Sequence, residues 1–333
     1  MMLLQGERAR AACVSVSAPA GVSGKVFADE RPDDTFAVLG EDGTLLARAS
    51  VWWREAPPVE GKTGGVVGHY FASSGAASTA VLEAACARLA EAGCDLVHGP
   101  MDGNTWRRYR LVVDGDGSPP FFLEPSNPPE WPAWWESAGF AVSAGYSSSV
   151  VALPSPEDPR ADAAEERLTA SGVHIRNLDA TRFDDELRAA YRLTVKAFAG
   201  AHLYTPLPEE DFLGRYRALG PVLRPEFVLL AERDGELAGY LFAFPDMAEA
   251  ARTGSATTLV GKTIAVAPGR AFAGLGAVMS RRLYAIAHEA GFRRLVHALQ
   301  YDGNASARNL SGEAPHTIRR YALYSQNLPE GRA

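Results

Sequence analysis

The sequence predicts a mixed α/β protein, its sheet mostly antiparallel with one parallel crossover, built as two tandem copies of one unit. Three observations predict this. Residues 96–104 read LVHGPMDGN and residues 295–304 read LVHALQYDGN. Each follows a helix-like stretch closing in Ala-Gly: AVLEAACARLAEAG ends at Gly93, and AVMSRRLYAIAHEAG ends at Gly291. Upstream, EDGTLLARASVWW from Glu41 matches RDGELAGYLFAFP from Arg233. Asp42 and Asp234 lie 192 residues apart, and His98 and His297 lie 199 apart. A near-constant offset with the elements in one order is a tandem duplication, since solenoid repeats run about 20–50 residues.

A length of 333 residues agrees, because domains usually hold about 100–200 residues. In the first copy CVSVS reads as a strand, and TFAVLG and LLARASVWW form a hairpin across Asp42-Gly43. Asp-Gly between two apolar runs is a strong hairpin signal. VVGHYFAS, a helix from about Ser78 to Ala92, and the strand DLVHGPM follow. PEWPAWWESAGF and the strand AVSAGYSSSVVAL close a copy that spans 1–153. Residues 154–171, with three prolines and then an Ala- and charge-rich run, read as a linker or connecting helix. The second copy, 172–333, runs VHIRNL, the helix DDELRAAYRLTVKAF, a loop with HLYTPLPEEDF, and the hairpin EFVLLAERDGELAGYLFAF. TTLVGKTIAV, a Gly-rich turn, a long helix, LVHALQ, a short helix from about Asn304 and HTIRRYALY complete it. Strand–helix–strand at the back of each copy demands a parallel crossover.

Bulk properties exclude several classes. A net charge of −7 and a pI near 5.6 leave no basic footprint for nucleic acid. No apolar run approaches the roughly 18 residues of a membrane span, and the N-terminal run is too short and broken for a signal peptide. Cys13, Cys86 and Cys94 show no paired spacing and read as reduced thiols of a cytoplasmic protein, with no metal site expected.

The chemistry-bearing stretch is TIAVAPGRAFAGLGAVMSRRLYAIAHEAG. A β-branched strand ends at Val266-Ala-Pro268, a small-residue loop carries Gly269, Gly274 and Gly276, and a helix begins. Such a loop turns backbone N–H groups toward a ligand, and the helix N-terminus adds positive partial charge. Together they suit a phosphate or pyrophosphate.

Strand, Val-x-Pro, Gly-x-Gly, helix, strand, then Asn304-x-x-Ala307-x-x-Leu310 resembles the Gcn5-related N-acetyltransferase superfamily, a poorly characterised bacterial branch of it. The resemblance covers Val173 to about Leu323 and, through the repeat, Cys13 to about Leu153. It implies two tandem domains of that fold, with acetyl-CoA or another acyl-CoA held in the second copy. Ala265, Val266, Arg270, Phe272, Ala273, Gly274, Leu275, Gly276, Ala277 and Asn304 would then bind the cofactor. It also implies acyl transfer to an amine of a small molecule through a tetrahedral intermediate. Lys262 stands where many relatives carry a Glu base, and Ser311 stands at the position of the usual Tyr acid. These two are the catalytic candidates. Tyr204, in the acceptor-side loop, Asp246 and His297 are the substrate-binding candidates.

The first copy has only Gly75 in its turn, ASSGAASTA, and reads as degenerate. Trp131, Trp134 and Trp135 are expected to pack a core or interface, and Arg107, Arg108 and Arg110 to form a solvated basic face, with contact to an acidic ligand or carrier protein as the alternative. The two copies would pack as an intramolecular pseudo-dimer, with a homodimer also open. Rival readings are a non-catalytic acyl-CoA-binding or interaction protein and an enzyme of other acyl-thioester chemistry on a carrier protein.

Overall fold

The Asp42-Gly43 turn closes as a hairpin: Gly40 N donates to Thr44 O at 2.8 Å, and Thr44 N donates to Asp42 Oδ1 at 3.0 Å. In a computed structural model, which describes residues 1–17, 19–153, 155–157, 159–303 and 315–329, this hairpin belongs to the first of two similar halves. The first half comprises β1 (Met2–Gln5), α1 (Gly6–Val14), α2 (Gly24–Glu30), β2 (Asp34–Leu39), β3 (Leu45–Trp52), β4 (Gly64–Ala72), α3 (Gly75–Glu91), β5 (Leu96–Gly99), β6 (Leu111–Gly115), α4 (Trp131–Ser137) and β7 (Ala141–Ala152). Helix α5 (Pro159–Ala170) connects it to the second. That half comprises β8 (His174–Asn177), α6 (Phe183–Ala197), α7 (Glu209–Arg217), β9 (Val228–Arg233), β10 (Glu236–Pro245), α8 (Met247–Thr253), β11 (Thr258–Val266), α9 (Leu275–Glu289), β12 (Arg294–Tyr301) and β13 (His316–Asn327).

The repeat is visible in both halves. An antiparallel meander, β2-β3-β4 or β9-β10-β11, leads through a helix to a strand parallel to its last member. The sheet therefore holds two parallel pairs, one per copy. The crossover helices bury apolar stripes at helical spacing: Ala77, Val81, Ala85 and Leu89 on α3, and Leu275, Met279, Leu283 and Ala287 on α9. One expected element differs. Cys13 and Val14 of CVSVS belong to α1, because Ala9 and Cys13 stand one helical turn apart and both bury against Ala37 and Leu45.

The sheet is continuous across both copies, in the order β1-β2-β3-β4-β5-β13-β7-β12-β11-β10-β9-β8, with β6 on β13. The closing strands are exchanged. β13, from the second copy, pairs with β5 of the first, while β7, from the first copy, pairs with β12 of the second. β7 and β13 pair with each other from Ala141↔Ser325 to Val150↔His316. The boundary expected at residue 153 thus separates β7 from both of its sheet neighbours. Trp52, Met101, Tyr146, Tyr321 and Leu323 form a core where the halves join. Among the described residues no helix is long and apolar enough to cross a membrane.

Candidate functional site: two branch points in one sheet

Each parallel pair is short and then diverges. β11 and β12 pair from Thr258↔Arg294 to Gly261↔His297 and part. Leu299 enforces the parting. Its left-handed backbone, φ +56, lies where β12 loses register with β7, between His297 and Gln300. Such a conformation in a branched residue costs about 1–3 kcal/mol. Leu299 N donates to Ser148 Oγ at 2.9 Å, which holds the distortion in place. Into the gap opens a cleft of about 1390 Å³, lined by Lys262 and Thr263 on one side and by His297 and Gln300 on the other. It reaches Ser280, Leu283 and Tyr284 of α9 behind the sheet.

The N-terminus of α9 stands beside the end of β11, with Gly276 against the Ile264 and Val266 side chains. Its N-cap, Gly274, is left-handed at φ +84 and supplies no side-chain cap. The first-turn N–H groups of Leu275, Gly276 and Ala277 therefore lack helical acceptors and face outward with the positive end of the helix dipole. Only glycine suits position 274 twice over, since a Cβ there would lie 3.0 Å from the Ala164 methyl of α5. Arg167 of α5 donates to Ala273 O and fixes the loop from outside. The signal for Arg167 lay in the charged connecting run, whose role a linear reading could not assign.

The first half has the same branch and fills it. β4 and β5 pair up to Val66↔His98. Met101 N then donates to Val67 O at 2.8 Å, closing the gap with backbone, and a side chain at Gly68 would collide with the Met101 carbonyl. Ser74 caps α3 with its own hydroxyl, accepting from Ala77 N at 3.3 Å. Helix α4 covers the rest: Trp134 lies over Gly75, Trp131 Nε1 donates to Ala72 O at 3.2 Å, and Trp135 is fully buried on the Gly99 backbone. The tryptophans pack a core, as their clustering predicts.

The electrostatics of the cleft are uneven. Burial, and then repulsion from Arg110, pulls the Lys262 ammonium down to about 8. Burial drops His297 to about 4, so its imidazole is neutral at pH 7. Arg110 overturns the expectation of a solvated basic face, being 6% exposed. Its guanidinium lies between the rings of Tyr109, at 3.9 Å, and Tyr146, at 4.1 Å. Glu124 lines the same cleft but is engaged by Arg319 at 3.0 Å and by the Tyr321 hydroxyl.

No family profile matches the chain. A conserved protein of unknown function from Enterococcus faecalis, described as a probable N-acyltransferase, superposes with a TM-score of 0.57 at 9% identity, over 99% of this chain and 74% of its own. A Gcn5-related N-acetyltransferase from Anabaena variabilis gives 0.56 at 8% identity, over 98% and 73%. Another from Sphaerobacter thermophilus gives 0.50 at 15% identity, over 99% and 97%. The chain has the Gcn5-related N-acetyltransferase fold, in two tandem copies. In sequence, a bacterial ceramide synthase from Caulobacter vibrioides is 27% identical over 152 residues, 46% of this chain. The match spans 40% of that relative's length.

On this acetyltransferase fold the expected site residues divide. Lys262, His297 and Tyr204 line the one cleft. The Tyr204 hydroxyl is buried there without a hydrogen-bond partner among the described residues. Gly274, Leu275, Gly276 and Ala277 form the open helix start, with Arg270 exposed and Phe272 half-buried beneath Arg233 in the preceding turn. Ala265 and Val266 end β11, paired with Tyr240 and Gly239 of β10. Asp246 stands apart. Its carboxylate is consumed as the N-cap of α8, accepting from Ala248 N, Glu249 N and Phe122 N, and it does not line the cleft. Asn304 and Ser311 lie outside the described residues. Glu124 carried no sequence signal, and Arg110 was expected in a solvated basic run; both come from the polar stretch between β5 and α4.

Proposed function

We propose that the chain transfers an acyl group from an acyl-CoA to an amine, at the branch between β11 and β12. The observation that carries this reading is the contrast between the halves: one branch open onto an uncapped helix start, the other filled by its own backbone and indoles. The N–H groups of Leu275 to Ala277 receive the pyrophosphate, with Arg270 beside them, and the pantetheine arm enters between the strands. The carbonyl of the thioester then lies near Lys262 and His297.

The amine nitrogen attacks the thioester carbon, forming the C–N bond. Its proton passes to neutral Lys262, which burial leaves substantially unprotonated near pH 8. Collapse of the tetrahedral intermediate breaks the C–S bond and releases the thiolate. Backbone N–H groups of β11 beyond Gly261, which have no strand partner on the β12 side, stabilise the oxyanion. The partial likeness to a ceramide synthase supports an amide-forming reaction, a ceramide being a fatty-acyl amide. Acetyl-CoA and longer acyl-CoAs are both candidate donors. The first half acts as a wall of the acceptor side, supplying Arg110, Tyr109 and Tyr146 to the cleft.

The test is calorimetric titration with acetyl-CoA and with palmitoyl-CoA, followed by thiol release with a panel of small amines. Binding near one per chain and amine-dependent thiol release are expected. Absence of binding by every acyl-CoA would refute the reading.

A further inference from the structure

Among the described residues Arg110 is a buried cation without a counter-ion. Its side chain makes one long hydrogen bond there, from Nη1 to Leu299 O at 3.4 Å, and its Nε is buried with no partner among those residues. It forms no salt bridge among the described residues. Burying a charge is costly unless it is paired. The position is nonetheless built. Arg110 adopts a left-handed backbone, φ +67, and its guanidinium is held in the corner of the Tyr109 and Tyr146 rings, which stand at 84° to each other. The rings close two of its sides and leave Nε without a partner among the described residues, and a planar guanidinium suits a carboxylate or phosphate.

The cleft's own carboxylates do not serve Arg110. Glu124 is bound by Arg319, Tyr321 and Phe121 N. At the far end, Glu30 accepts from His69 Nε2 at 3.0 Å and lies beside Arg107, and Asp102 accepts from His69 N. Arg110 Nη1 reaches Leu299 O, two residues past His297 on β12, and Arg110 lines the same cleft as Lys262, so an anion on it sits within reach of the β11–β12 branch. The Tyr204 hydroxyl, also without a partner, adds a donor to the same cleft.

We propose that Arg110 is an anion-binding, specificity-determining residue, and that the acceptor is a small amine bearing a carboxylate or phosphate. This deepens the acyl-transfer reading and rests on it for the identity of the bound amine. The anion anchors on Arg110 and presents the amine toward the branch, while a neutral amine lacks the anchor.

The test needs neither acyl-CoA nor turnover. Phenylacetate, phenyl phosphate and the neutral phenylacetamide are titrated calorimetrically into the whole chain at pH 7. One of the two anions binds about tenfold or more tighter than the amide, the margin expected of charge-assisted hydrogen bonds. Which anion wins identifies carboxylate or phosphate. Arg110→Gln abolishes the preference. Arg110→Lys, which keeps charge and loses the planar fork, weakens it severalfold and decides the matter if the Gln variant fails to fold. Equal binding of anions and amide, or a preference unchanged in the Arg110 variants, overturns the proposal. Acyl-CoA is titrated in parallel. Acyl-CoA binding without anion preference leaves acyl transfer standing and removes this inference, and the reverse result does the opposite.

Discussion

His98 and His297 hold the same place in the two halves: each is the last residue of its strand to pair in parallel, with Val66 and Gly261 respectively, before the strands part. Both ring nitrogens of His98 are buried without a hydrogen-bond partner among the described residues. Beyond His297 the gap is open. Beyond His98 it is closed by Met101 and by indoles. The duplicated residue thus marks a duplicated branch, of which one was retained as a cleft and one became core.

His98 makes the core of the join sensitive to acid. Burial, and then His202, lowers its pKa to about 4, against about 6.5 in the unfolded chain. The folded state binds the neutral form, so stability is complete above pH 6.5 and falls as pH drops toward 4. The loss reaches on the order of 3 kcal/mol at most. His98→Leu sacrifices no hydrogen bond, as both ring nitrogens are unpartnered. Urea denaturation at several pH values checks that this variant flattens the pH 4–6.5 limb and leaves stability near pH 7 within about 1 kcal/mol.

Lys262 should set the alkaline dependence of turnover. With its pKa drawn down to about 8, the neutral amine needed as base accumulates as pH rises through that value. The rate at saturating acyl-CoA climbs to a plateau above pH 8 in the wild type. Lys262→Met loses about 10²–10⁴-fold in kcat together with that limb. Acyl-CoA affinity stays unchanged, which separates a catalytic loss from misfolding.

The exchanged strands make the two halves one cooperative unit. A chain ending at residue 153 leaves β7 without β12 or β13, and circular dichroism and gel filtration are expected to find it unfolded or aggregated. Trp135→Ala, which empties a fully buried site between α4, Tyr70 and Tyr324, costs about 3–5 kcal/mol. It lowers a single melting transition of the whole protein.

Asp246 serves the fold. Asp246→Ala removes the α8 cap and strands the Phe122 N–H, lowering stability by about 1–2 kcal/mol. Calorimetry is expected to find acyl-CoA affinity within about twofold of wild type, because the carboxylate lies off the cleft.

Local periodicity carried much of this structure. The Asp-Gly hairpins, the two crossover helices and the paired histidines are written in short stretches whose physics is local. The exchange of β7 and β13 is not, because a strand's residue pattern fixes which face is buried and leaves its neighbour unnamed. CVSVS misleads because apolar alternation in so short a run competes with the i, i+4 pair Ala9 and Cys13. Lys262 was singled out by the family resemblance, four residues before Val266, and His297 by its repeat with His98; both line the cleft. Arg110 was not legible: a basic run reads as solvated until tertiary contacts place two tyrosine rings around one of its members.

The most direct measurement of the central claim is acyl-CoA titration of Ala277→Glu beside Ser74→Ala. Ala277 is exposed in the first turn of α9, where a glutamate favours the helix yet repels a pyrophosphate. Ala277→Glu is expected to keep its melting temperature and lose acyl-CoA binding by about tenfold or more. Ser74→Ala, which uncaps the first-half helix, is expected to bind as the wild type does. Undiminished binding by Ala277→Glu, or binding lost in Ser74→Ala, would contradict a cofactor site at the second branch.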